Sequence, residues 1–96
     1  MVDVSTVALG DASVQVRAAT IHVAKGPDAG RSIKLAQMSF VVGGGDSADL
    51  RLTDPAVSRE HLRITLEPNG VRVRDPGSKN GTFLSGVRVN DVSFTS

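Results

Sequence analysis

The chain has 96 residues, with 11 Lys and Arg against 10 Asp and Glu and no Cys. That length fits one domain with one core; disulfides and thiolate metal sites are excluded, and the near-balanced charge argues against nucleic-acid binding by this domain, which needs a basic excess. No apolar run approaches the ~18 residues of a membrane helix and Met1-Val2-Asp3-Val4-Ser5-Thr6 is no basic leader, so a cytoplasmic chain without membrane contact is expected.

Residues 1–12 read as a flexible lead-in ending in Gly10-Asp11, with the domain itself expected over 13–96. Ser13 to Val23 reads as one strand, Val14 and Val16 on one face, continued by Ile21 and Val23 after a bulge at Ala18-Ala19. Gly26-Pro27-Asp28-Ala29-Gly30 is a turn, Arg31 to Leu35 alternates again, and Phe40-Val41-Val42 is a short apolar strand running into Gly43-Gly44-Gly45. Leu50 and Leu52 straddle Arg51 in another short strand before the turn Thr53-Asp54-Pro55-Ala56. His61 to Leu66 is the clearest period-2 run, with Leu62, Ile64 and Leu66 facing inward, and Pro68-Asn69-Gly70 folds it back on Val71-Arg72-Val73-Arg74. Asp75-Pro76-Gly77-Ser78 suits a type II turn, and short strands are expected at Thr82-Phe83-Leu84 and Val87-Arg88-Val89.

With three Phe and no Trp or Tyr, the core must be built from Val, Leu, Ile and Ala, and Leu62, Ile64, Leu66, Val71, Val73 and Val89 are assigned to it. No long window holds a 3.6-residue period. Many short strands cut by frequent turns make the fold all-β, a sandwich or barrel.

Catalytic and metal readings are weak. Ser58 and His61 lie three residues apart with no strand-to-helix elbow, so they set up no triad, and His61 is better read as binding loop backbone. The glycine run lacks the Gly-Lys-Ser/Thr ending of a phosphate loop. Asp46, Asp49 and Asp54 do not have calcium-loop spacing and read as turn and cap residues, as does Asp75. His22 is isolated, and Arg72, Arg74 and Arg88 read as a solvated strand face. The chain is therefore expected to be no enzyme and to use no cofactor and no metal.

Three loops nevertheless carry specific polar residues in a fixed order: Gly43, then Asp49-Leu50-x-Leu52-x-Asp54, then Val57-Ser58-Arg59-x-His61, then Asp75-x-x-Ser78-x-Asn80-Gly81-Thr82, then Gly86. Over roughly residues 18–90 this pattern resembles the forkhead-associated (FHA) domain family. The resemblance implies an FHA/SMAD-like β-sandwich of two antiparallel sheets whose loops at one end grip a phosphothreonine-containing protein or peptide. Carried over by position, Ser58 and Arg59 contact the phosphate, Lys79 sits at a second phosphate-contacting position, Asn80 holds the peptide backbone, and Ser78 belongs with them. Gly43, His61, Gly81 and Thr82 shape the loops. The chemistry agrees: phosphothreonine brings a charge near −2 and three strong acceptors, which a hydroxyl, a guanidinium and an ammonium can satisfy.

Three departures qualify the match. The family carries Arg directly after the first Gly, where this chain has Gly44, and its second Asn-Gly pair is here Ser85-Gly86. One charge-assisted hydrogen bond contributes about 1.5–3 kcal/mol, roughly ten- to a hundredfold in affinity, so a phosphate-independent interaction domain of the same fold is the alternative. Arg31, Arg51 and Lys79 are the cations available to compensate. Third, the family's closing strands are missing after Val89: the chain ends Val92-Ser93-Phe94-Thr95-Ser96, either cut short or with Phe94 opening a strand whose partner is absent. An unpaired edge there invites self-association. The stretch Asp49 to Pro55 with a non-Arg after the first Gly resembles N-terminal FHA domains of bacterial enhancer-dependent transcriptional regulators.

Overall fold

Strands that alternate apolar and polar side chains bury one face each, and two sheets meeting on those faces satisfy all of them. A computed structural model describes residues 5–17, 20–68 and 70–95. Its eleven strands are β1 Ser5–Leu9, β2 Ala12–Arg17, β3 Thr20–Lys25, β4 Ser32–Lys34, β5 Ser39–Gly43, β6 Leu50–Arg51, β7 Leu62–Glu67, β8 Gly70–Arg74, β9 Thr82–Leu84, β10 Val87–Val89 and β11 Asp91–Thr95. One sheet has the order β10-β9-β1-β2-β3-β4 and the other β11-β8-β7-β5-β6. All pairs are antiparallel except β5–β6, whose parallel register sets Val42 against Leu50 and Gly43 against Arg51.

The core between the sheets is aliphatic. Val7, Leu9, Val14 and Ile21 come from one sheet and Val42, Leu50, Leu62, Ile64 and Val73 from the other, with Phe40 the one buried aromatic ring. Leu66, Val92 and Phe94 pack against it while partly exposed, whereas Val89, expected inside, is half-buried on the edge strand β10. The β7–β8 hairpin stands as expected, with Ile64 opposite Val73 and Leu66 opposite Val71.

Three expectations toward the chain ends are corrected. The segment expected as a lead-in contains β1, which pairs with β2 on one side and β9 on the other and contributes buried Val7 and Leu9. The single strand expected over Ser13 to Val23 is two antiparallel strands, with Arg17 opposite Thr20. The bulge placed at Ala18-Ala19 lies outside the described residues, but the chain reverses between β2 and β3. The N-terminal hairpin thus fills the space between β9 and β3. At the other end Phe94 does have a partner: β11 pairs with β8 from Asp91↔Arg74 to Thr95↔Gly70. Its outer edge is unpaired among the described strands, in line with the edge expected near the terminus.

Candidate functional site

The loops β5–β6, β6–β7 and β8–β9 meet at one end of the sandwich, and backbone contact holds the first two together. The amides of Gly44 and Gly45 donate to the carbonyls of Ser58 (2.9 Å) and Arg59 (3.1 Å). Such closeness requires glycine at 43, where a Cβ would stand 2.1 Å from the Arg59 carbonyl oxygen. The Gly43-Gly44-Gly45 run is therefore a packing device, and its job is to let one loop lie on another.

His61 joins the third loop. Its ring is fully buried; Nδ1 accepts from the Ser58 amide at 3.1 Å, which leaves Nε2 to donate to the Gly81 carbonyl at 2.8 Å. This is the loop-binding role expected of His61. The Lys79 amide donates to Ser58 Oγ at 3.0 Å, and Asn80 Nδ2 donates to the Ala56 carbonyl at 2.8 Å. The stretches Ser58-Arg59 and Lys79-Asn80, 21 residues apart, are thereby joined at one rim. The ammonium of Lys79 and the guanidinium of Arg59 are exposed and have no hydrogen bond or ion pair among the described residues.

Asp75 organises the β8–β9 loop. Its carboxylate accepts from the amides of Gly77 (2.8 Å) and Ser78 (2.6 Å) and from the hydroxyls of Ser78 (2.5 Å) and Thr82 (3.0 Å). Partial burial pushes this carboxyl up, but the four donors outweigh it and hold its pKa at about 2, below the usual 3.8. Ser78 is buried, donates to Asp75 and accepts from the Gly81 amide at 3.0 Å. Its hydroxyl thus bonds within the loop in both directions, beside buried Thr82. Gly81 takes φ +85°, and a Cβ there would press on the Arg88 guanidinium, which lies over this loop.

Sequence reasoning missed one contributor, and named the second only as a cation available to compensate. Asp54, read as a turn residue, is buried and accepts from the amides of Ala56 (2.8 Å) and Asp11 (2.7 Å), so it ties the β1–β2 turn to the Ser58 loop. Arg51 lies across Gly44, with Nε donating to the Gly44 carbonyl at 3.3 Å and Nη1 3.1 Å from Asp46 Oδ1. Two clefts flank it, one of about 490 Å³ lined by Gly44, Gly45, Asp46, Ser47, Arg51 and Arg59, and one of about 290 Å³ between Gly44, Arg51, Thr53, Pro55, Val57 and Arg59. Both open on the Gly44 side of Arg59, and neither is lined by Ser58, Lys79 or Asn80. Among the described residues no group of His, Asp and Glu could hold a metal ion, and no helix is long and apolar enough to cross a membrane.

The two-sheet sandwich with its polar loops at one end has known relatives. Residues 22–95 match the FHA-like family described as "Inner membrane component of T3SS, cytoplasmic domain". The glycogen accumulation regulator GarA of Mycobacterium tuberculosis is 39% identical over 67 residues, 70% of this chain and 41% of that protein. The oxoglutarate dehydrogenase inhibitor of Corynebacterium efficiens is 32% identical over 78 residues, 81% of this chain and 55% of that one. This chain thus spans about half the length of these relatives or less. Among solved structures, the FhaA FHA domain complexed with the intracellular domain of Rv3910 is 33% identical with a TM-score of 0.64, covering 70% of this chain and 74% of that one. The FHA domain of CT664 from Chlamydia trachomatis is 25% identical with a TM-score of 0.65, covering 95% and 80%. The chain belongs to the forkhead-associated domain family.

Proposed function

We propose that this domain binds a phosphothreonine-containing segment of a protein partner at the loop rim. One observation carries it: the Lys79 amide is hydrogen-bonded to Ser58 Oγ across two loops, and Arg59, next in sequence to Ser58, has a guanidinium with no partner among the described residues. A similar solved domain comes from a study of phosphothreonine-dependent FHA interactions, at 27% identity over 95% of this chain. Ser58 Oγ accepts from Lys79, and its hydroxyl proton remains to donate to a phosphate oxygen. Arg59 and Lys79 supply charge, and the Asn80 carbonyl oxygen is left to take a peptide amide. The domain would act in the cytoplasm as a non-catalytic signalling module, and the likeness of Asp49 to Pro55 to enhancer-dependent regulators suggests transcription control.

Fluorescence anisotropy with a phosphothreonine peptide library and its unphosphorylated counterparts tests this. Phosphorylated members should bind at least about tenfold tighter, since charge-assisted hydrogen bonds contribute ~1.5–3 kcal/mol each. Equal binding across every pair would sink the reading. A phosphate-independent docking domain is the second reading, favoured by Gly44 and by a family match whose description names a secretion-system component rather than a phosphopeptide reader.

A further inference from the structure

Where the family carries Arg after the first loop glycine, this chain has Gly44, and the Arg51 side chain bonds back to that residue. We infer that Arg51 replaces the family's arginine as a phosphate ligand, delivered from the neighbouring strand. This inference rests on the phosphopeptide reading above and names a residue for it.

The register explains the delivery. β5 and β6 pair in parallel with Val42 opposite Leu50 and Gly43 opposite Arg51. Val42 and Leu50 are fully buried, so Arg51, the next residue of β6, faces outward by strand alternation, while Gly43 opposite it is buried beneath the β6–β7 loop. Gly43 has no side chain to obstruct its partner, and Arg51 folds back over the loop until Nε reaches the Gly44 carbonyl at 3.3 Å. Its backbone is fixed too, since Arg31 Nη1 donates to the Arg51 carbonyl at 2.6 Å. Arg51 and Arg59 then line the same two clefts, with bare Gly44 between them. Two guanidiniums facing one open space suit a dianion with three acceptor oxygens.

The present partner of Arg51 does not block this. Asp46 is 94% exposed and pairs through a single contact at 3.1 Å with a side chain itself 60% exposed. Exposed pairs of this kind hold weakly, and a phosphate carrying nearly twice the charge displaces the carboxylate. Asp46 thus holds the empty site's guanidinium in place and competes with the ligand.

Four proteins decide the matter: the wild type, Arg51→Ala, Arg51→Ala with Gly44→Arg, and Asp46→Asn. Each is titrated with the best phosphothreonine peptide and its unphosphorylated counterpart, with melting temperature recorded in parallel. Arg51→Ala should cut the phospho/non-phospho affinity ratio about tenfold or more at an unchanged melting temperature. Arginine returned at position 44 should restore much of that ratio, which a merely structural role for Arg51 would not allow. Asp46→Asn should bind the phosphopeptide several-fold tighter. A wild type that discriminates phosphate while Arg51→Ala does so equally well overturns this inference and leaves the proposed function standing. A wild type with no discrimination overturns both.

Discussion

The backbone amide of Lys79 donates to the side-chain oxygen of Ser58 at 3.0 Å, across 21 residues of sequence. Two loops from different strand pairs are locked at the point where an anion would bind. Ser58→Ala removes this acceptor together with the hydroxyl available to phosphate. We expect about a tenfold weaker phosphopeptide affinity and a stability loss of only ~0.5–1.5 kcal/mol, read by anisotropy and urea unfolding.

Gly43 is the stricter position. A Cβ placed 2.1 Å from the Arg59 carbonyl oxygen and 2.7 Å from its carbon meets backbone and not a movable side chain. Gly43→Ala therefore pushes the β6–β7 loop outward, and a cost of about 3 kcal/mol or more is expected in chemical denaturation. The same substitution at Gly30, whose Cβ would meet nothing within 4 Å, is limited by its φ of +96° alone and should cost less.

His61 binds two loops through one buried ring. Replacing it with Ala leaves the Ser58 amide and the Gly81 carbonyl without their partner and opens a cavity, for an expected loss of roughly 2–5 kcal/mol. Amide-exchange rates of Ser58 should rise before those of the β7–β8 hairpin do.

Asp75 makes stability depend on acid. Its folded pKa of about 2 lies below the unfolded value near 3.8, so the folded state binds this proton less readily than the unfolded chain. The stabilisation is fully present above about pH 4 and drains away as the pH falls toward 2. With allowance for solvent screening it amounts to about 1–2 kcal/mol. Asp75→Asn should lose that much at pH 7, and its unfolding curve should approach the wild-type curve near pH 2.

How much of this was written in the sequence depends on the range of the contact. The β7–β8 hairpin was legible because Leu62, Ile64 and Leu66 alternate and Pro68-Asn69-Gly70 turns them onto Val71 and Val73. The rim was legible because a resemblance supplied the roles of Ser58, Arg59, Lys79 and Asn80 together. β1 was not, although Val7 and Leu9 alternate before Gly10-Asp11 in a pattern that suits a hairpin. Five residues with two apolar positions carry little weight alone, and what makes β1 a strand is β9, far along the chain. Ser78 shows a related limit: a serine's motif position does not say what its hydroxyl bonds, and here it donates to Asp75. Arg51 was visible as an outward residue between two buried leucines, but its reach back to Gly44 follows from the parallel β5–β6 register.

Deleting residues 1–17 tests the importance of the N-terminal hairpin. The remaining piece holds the whole family match at 22–95 but loses Val7, Leu9, Ala12 and Val14 from the core and the two middle strands of a six-stranded sheet. We expect it to lack a cooperative thermal transition by circular dichroism. A sharp melt near that of the full chain would contradict the placement of β1 and β2.

That same hairpin imposes an order on biosynthesis. Leu9 must wait for Thr82. On a ribosome adding ~5–20 residues per second, the first strands emerge several seconds before the one that covers β1, with an apolar edge open to any passing strand. The moment of greatest exposure for this protein is therefore during translation, and a chaperone that holds its first two strands would raise the yield of native chain more than one acting after release.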